Sequence, residues 1–230
     1  MQSYGQFCPV AVAAEVFAQR WTPLILRELF SGASQFNEIR RCMPLIPKTT
    51  LAERLKSLEL AGVITGTSLG SGRPTVYRLT ASGEGFRAVI EKLGEWGQQS
   101  ETRFEPQNLN PELLMWNVRR RMDVARLPAK STVVRFEFSG LPASYRRARI
   151  FWLKIDRPEV DLCLKDPGSD VDLYLYADFA RMARVWLGEE RMDEALRSRE
   201  VRLVGPRALV ETFPSWLLLS HFAAHGAAAP

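Results

Sequence analysis

Between residues 36 and 79 two short helical patterns separated by a proline-bearing turn give way to a period-two hairpin, and few folds accommodate that order. Phe36 to Met43 reads as a short helix that Pro44 stops. The next segment carries Leu51, Leu55 and Leu58 at i, i+4 and i+7, so its apolar residues form one stripe. At 100° per residue Thr49, Glu53, Lys56 and Ser57 project away from that stripe, with Thr50 and Arg54 on its flank. Gly62 ends the helix, being cheap in the left-handed conformation a helix terminus needs. Val63-Ile64 and Val76-Tyr77 then bracket Gly70-Ser71-Gly72-Arg73-Pro74, a tight turn with one arginine at its tip. Helix, helix and hairpin in this order describe a winged helix-turn-helix, a shape that sets one helix in the DNA major groove with a basic loop beside it. In that frame Arg40, Arg41, Lys48 and Arg73 are the candidate phosphate contacts. Thr49, Thr50, Glu53 and Arg54, with Lys56 on the same face, are the candidates for addressing base edges.

The flanking residues extend the same unit. Pro9 to Arg20 gives an Ala/Val-rich helix, Thr22-Pro23 supplies a cap followed by proline at a first helical position, and Gly32 follows the last turn. Ser34 can cap the helix that starts at Phe36, and Thr80 a last helix whose Phe86, Val89/Ile90, Leu93 and Trp96 recur at three to four residues. Trp21 and Trp96 are expected to pack in the core or at a dimer interface.

Several of these residues also carry a family pattern. Cys8-Pro9, Arg20-Trp21-Thr22, Leu24-Ile25-Leu26-Arg27-Glu28-Leu29 and Phe36-Asn37-Glu38-Ile39-Arg40-Arg41 resemble the HxlR-type branch of the MarR-like winged-helix regulators. Leu51, Arg54-Leu55, Leu58-Glu59, Ala61-Gly62-Val63, Tyr77-Arg78-Leu79-Thr80 and Gly83 continue the resemblance, which spans roughly the first hundred residues. It implies a cytoplasmic transcription factor that binds double-stranded DNA at a pseudo-palindromic operator as a homodimer, with the terminal helices of this domain in the dimer contact. In some relatives a cysteine at the place of Cys8 senses oxidants or electrophiles. Just before a helix, Cys8 is either such a sensor, its thiol activated by the helix dipole, or a packing residue of the N-terminal arm.

The 230 residues exceed the usual size of one domain, and 46% apolar content is ample for two cores. A net charge of +5 suits a nucleic-acid partner without specifying one. No cleavable leader is expected, because the apolar stretch after Pro9 is short and holds Glu15, and no membrane segment, because the run from Phe213 to Pro230 holds Ser215, Ser220, His221 and His225 and is only mildly apolar. Cys8, Cys42 and Cys163 are too few and too scattered for a structural zinc site or a disulfide framework. His221 and His225 stand at i, i+4 spacing without a third ligand, so neither metal nor cofactor is expected. With only those two histidines, no phosphate-binding glycine motif and no nucleophile elbow, no catalytic residue is assigned and the chain does not read as an enzyme.

Residues 101–110 are polar with prolines at 106 and 111, the composition of a linker. They separate residues 1–100, the winged domain, from residues 111–230. In the second part Asn110 can cap a helix beginning at Pro111, and period-two alternation follows in Val133–Phe138, Ile150–Ile155, Val160–Leu164 and Val171–Tyr176. Asp166-Pro167-Gly168-Ser169 is read as a hairpin-like turn between the last two of these. Helices over Ala177–Trp186 and Glu189–Ser198, a strand Glu200–Val204 and a helix from Arg207 complete a mixed α/β (α+β) chain with a largely antiparallel sheet. Asp170-Val171-Asp172-Leu173, Phe179-Ala180-Arg181-Met182, Trp186-Leu187-Gly188 and Val201-Arg202-Leu203-Val204-Gly205 resemble the sterol-carrier-like domain. That resemblance implies an apolar groove between sheet and helices for a lipid-like or aromatic molecule. Phe136, Phe138, Phe151, Tyr174, Phe179, Trp186 and Trp216, together with Phe213, are its candidate lining, or else plain core. Arg119-Arg120-Arg121 and Arg146-Arg147-Arg149 are expected to be a solvated helix face and a basic loop. The expected function is a dimeric, sequence-specific transcriptional regulator modulated by a small apolar effector. The competing expectation is a lipid or small-ligand carrier that uses the winged domain for dimerisation.

Overall fold

The leucine stripe organises the first core. In the computed structural model, which describes residues 3–68, 70, 74–99, 110–145 and 148–223, Leu51, Leu55 and Leu58 are the buried residues of α4 (Lys48–Leu60). Against them pack Ile25, Leu26 and Leu29 of α2 (Thr22–Phe30) and Ile39 of α3 (Phe36–Arg41), with Met43 and Ile46 from the intervening turn. Each such side chain contributes about 1.5–3 kcal/mol by leaving water. The remaining elements are α1 (Pro9–Phe17), the antiparallel hairpin of β1 (Ile64–Ser68) and β2 (Thr75–Leu79), α5 (Ala81–Glu84) and α6 (Arg87–Gln99). The chain divides into two units, Met1–Gly94 and Glu95–Pro230.

Four local expectations need correction in the first part of the chain. The first helix ends at Phe17 rather than Arg20. Thr22 is the first helical residue of α2, not its cap; Trp21, in the left-handed conformation at φ 78°, is the cap because its carbonyl accepts the first helical bond, from Ile25. Gln35 rather than Ser34 caps α3, through a capping box with Glu38, while the Ser34 N–H and hydroxyl donate to the same Glu38 carboxylate. Thr80 does cap a helix, accepting from the Gly83 N–H at 3.1 Å, but that helix is the four-residue α5, and α6 starts anew at Arg87.

The second unit contains α7 (Pro111–Arg120), β3 (Thr132–Ser139), β4 (Ile150–Asp156), β5 (Glu159–Cys163), β6 (Leu173–Asp178), α8 (Phe179–Leu187), α9 (Met192–Arg197), β7 (Val201–Val204) and α10 (Arg207–Thr212). Asn110 caps α7 as its sequence suggests, accepting from the Leu113 N–H. The five strands lie in the order β5-β4-β3-β6-β7, and all neighbours are antiparallel except β3 and β6. The hairpin expected at Asp166–Ser169 is therefore wrong: β5 sits on one edge beside β4, and the chain crosses to place β6 parallel to β3. Asp172 fixes that crossing, since its N–H donates to the Val133 carbonyl and its carboxylate accepts the Val133 N–H at 2.8 Å. The closing helix is also shorter than expected, ending at Thr212 and passing into a 3-10 turn over Phe213–Trp216.

One face of the sheet, with Val134, Phe136, Phe138, Phe151, Leu153, Ile155, Leu173, Leu175 and Ala177, forms a single buried cluster with residues of α7 and α8. The arginine run at 119–121 is not a solvated face. Arg119 donates to the Val160 carbonyl and Arg121 to the Leu219 carbonyl, tying α7 to β5 and to the C-terminal segment, while Arg120 donates to the Asn117 side chain within the helix. Arg146 and Arg147 lie outside the described residues.

Candidate nucleic-acid interface

Because the stripe of α4 is fully committed to the core, its other side is available. Thr49, Glu53 and Lys56 are exposed there, as are Lys48 at the first helical position and Leu60 at the last. Pro47 precedes the helix and offers no side-chain cap, so the leading N–H groups of α4 remain open to an acceptor. Thr50 is half-buried on the flank. Arg40 is half-buried and Arg41 exposed at the end of α3. Arg73 lies outside the described residues, so the wing is described only up to its tip.

Two contacts hold α4 at its flanks, and residue spacing alone does not reveal them. Arg54 points back to the corner between α1 and α2, donating through Nε to the Arg20 carbonyl at 3.3 Å. On the other flank Glu59 lies over the wing, where a Cβ on Gly66 would stand 2.4 Å from Glu59 Oε1. An isolated glycine inside a strand is the usual sign of such a close approach, so Gly66 carried a signal that the pattern of apolar residues did not. Burial, and secondarily the nearby Glu59 carboxylate, push the Tyr77 hydroxyl above its ordinary value.

The start of α3 is tightly fixed. Partial burial, the largest effect on Glu38, raises its carboxyl, but the N–H groups of Ser34 and Gln35, the Ser34 hydroxyl and the Arg41 charge outweigh it. The group ends below its ordinary value.

Apolar surface remains uncovered at both ends of this part of the chain. α1 has no buried residue, and Tyr4, Phe7, Val10 and Val12 are exposed. On α6 Val89, Leu93 and Trp96 are exposed, Trp96 at 68%. Trp21, by contrast, is half-buried against the first core with the Arg20 guanidinium 5.2 Å from its ring. Cys8 is exposed at the N-cap of α1 and makes no capping bond.

Residues 16–104 match the family model described as HxlR-like helix-turn-helix. The HTH-type transcriptional regulator YodB of Bacillus subtilis (strain 168) is 33% identical over 94 residues, which cover 40% of this chain and 84% of YodB. The chain belongs to the HxlR-like helix-turn-helix family. A second relative in the same organism, the uncharacterized HTH-type transcriptional regulator YdeP, is 31% identical over 99 residues, 43% of this chain and 77% of that protein. Among solved structures, the redox regulator HypR in its reduced form is 27% identical with a TM-score of 0.39, covering 41% of this chain and 94% of HypR. The family match thus embraces α2 to α6 and the helix whose polar side is open.

The other candidate residues separate into two groups. Phe136, Phe138, Phe151, Phe179, Trp186 and Trp216 come together, all buried and packed with Phe213 in one core. Tyr174 does not join them, because strand residues alternate and it faces the opposite side of β6, stacked on Tyr176. His221 packs on the Phe222 ring at 5.3 Å, and His225 lies outside the described residues. Among the described residues there is no group of three or more metal-ligating side chains, and no helix is long and apolar enough to cross a membrane.

Proposed function

We propose that this protein is a dimeric, sequence-specific DNA-binding transcriptional regulator acting in the cytoplasm. The observation that carries the reading is the open side of α4. Thr49, Glu53 and Lys56 stand opposite a stripe that the core has claimed, behind an uncapped N-terminus suited to a phosphate. Lys48, Arg40, Arg41 and Arg73 supply the backbone grip, while Thr49, Thr50 and Glu53 read bases. Arg54, tied to the Arg20 carbonyl, positions the helix as well as bordering the groove.

The uncovered apolar side chains of α1 and α6 support homodimerisation through these helices, since exposed Phe7 and Trp96 are costly in an isolated chain. Leu93→Asp would then weaken self-association in sedimentation without unfolding the core. The exposed Cys8 at a helix N-terminus supports a thiol-sensing role, in which alkylation of the full chain alters DNA affinity.

The second unit is assigned to modulation. Its order of helix, four strands, two helices, strand and closing helix supports a sterol-carrier-like domain that responds to a small apolar effector. In this chain the space between sheet and helices is filled by Phe136, Phe138, Phe151, Phe179, Trp186 and Trp216, so an effector entering there must displace packed core. Selection of bound duplexes from a random pool by the full chain tests the main reading. It should yield an inverted repeat with half-sites about 10 bp apart. Recovery of unrelated sequences would contradict it.

A further inference from the structure

The sheet of the second unit has a second face, turned away from the aromatic core, and its central residues do not resemble a plain solvated surface. Register places Trp152 of β4, Arg135 of β3 and Tyr174 of β6 directly side by side, and the next row holds Ile150, Glu137, Tyr176 and Arg202. Trp152 is only 8% exposed, yet its indole N–H has no acceptor, and the Nε–H of Arg135 beside it has none either. A buried donor without a partner is a standing cost. Here two such donors occupy paired positions on neighbouring strands.

The chemistry that would relieve them is narrow. Glu137, the carboxylate on this part of the face, is bound to a terminal nitrogen of Arg135 at 3.0 Å. Arg202 makes no ion pair among the described residues; its guanidinium lies over the Tyr176 ring at 4.7 Å, as that of Arg135 lies 5.7 Å from Tyr174. The two tyrosine rings are parallel, 6.2 Å apart. These two rows therefore offer two unmet N–H donors, an excess positive charge and aromatic surface. Of the other acidic residues on the face, Asp156, Glu159 and Asp161 lie toward the β4–β5 turn, where Lys154 bridges to Asp156 at 3.1 Å, while Asp172 and Asp178 at the two ends of β6 accept from the Val133 and Arg181 N–H groups.

The geometry points to this face as a binding site for an aromatic carboxylate. The carboxylate takes the Trp152 and Arg135 N–H groups, and the ring lies against Tyr174 and Tyr176, beneath guanidinia that rotate from the tyrosines onto the ligand. Three adjacent strands span about 10 Å, the length of a two-ring acid. As the effector site of the regulator proposed above, the assignment rests on that reading; binding itself does not.

The test is calorimetric titration of the full chain with 2-naphthoate in the absence of DNA, beside its neutral counterpart 2-naphthylmethanol. The acid should bind, the alcohol about tenfold more weakly, and Trp152→Phe and Arg135→Gln should each weaken the acid about tenfold while Arg207→Gln on α10 leaves it unchanged. Should the Trp152 or Arg135 variant lose its cooperative unfolding transition, Arg202→Gln at an exposed position and Tyr176→Leu decide, each expected to weaken binding severalfold. No uptake of naphthoate at millimolar concentration, equal affinity for the alcohol, or folded variants that bind as the parent would each overturn the site. Because no DNA is present, that failure would leave the operator reading intact, just as failure to select an operator would leave this site standing.

Discussion

Replacing Lys48 by alanine separates backbone grip from base reading. Lys48 is exposed at the first residue of α4, makes no ion pair among the described residues, and sits where the helix dipole and open N–H groups already favour a phosphate. The proposed dimer presents it twice, so on that reading the substitution removes two phosphate contacts. Each contact contributes about 0.9 to the slope of log affinity against log salt, and the slope should flatten by about 1.8. Between about 50 and 200 mM salt the affinity ratio then shrinks about twelvefold relative to the parent, and the two proteins converge as salt rises. Fluorescence anisotropy with a labelled operator duplex across that range gives the slope directly. An unchanged slope, with affinity lost equally at every salt concentration, would refute the placement of Lys48 on the DNA backbone.

Three further outcomes follow from the packing and the charges. Gly83→Ala would set a Cβ 2.0 Å from the Val63 carbonyl oxygen, a backbone atom with no room to retreat, and should destabilise the winged domain by about 1–3 kcal/mol in urea denaturation. Leu55→Ala, opening a cavity beneath the exposed side of α4, should cost about 2–5 kcal/mol by the same assay. For Glu38 the folded carboxyl lies below its unfolded value of 4.5, so its stabilisation is complete above that pH and disappears as pH falls through the lowered folded value. Glu38→Gln should therefore be the less stable protein at neutral pH, with the difference in urea midpoint closing in acid.

The winged domain was legible because its physics is local. The i, i+4, i+7 leucines, Pro44, Gly62 and the turn between β1 and β2 each act over a few residues, and the helices and hairpin lie where those signals put them. Caps were misplaced by one residue because the corner at Trp21 and the Glu38 side chain, not the identity of Thr22 or Ser34, decide which carbonyl and which N–H are satisfied. Strand pairing in the second unit is non-local. Nothing in Asp166–Ser169 distinguishes a hairpin from a crossover, and the choice is made by Asp172 gripping Val133, some forty residues earlier. The separation of Tyr174 from the phenylalanines was present in the alternation itself, since Asp172, Tyr174 and Tyr176 share one parity and Leu173 and Leu175 the other. Arg119 and Arg121 read as solvent-facing because their carbonyl partners come from β5 and the C-terminal segment, which sequence spacing cannot bring together.

The measurement that bears most directly on the central claim is the affinity of the parent protein and of Glu53→Ala for a selected operator in which each base pair is substituted in turn. If the open side of α4 reads the major groove, the variant should lose discrimination at one position in each half-site, by about 1–3 kcal/mol, with its salt dependence unaltered. Equal weakening across every sequence, or no change at any, would mean that this face of the helix does not meet base edges.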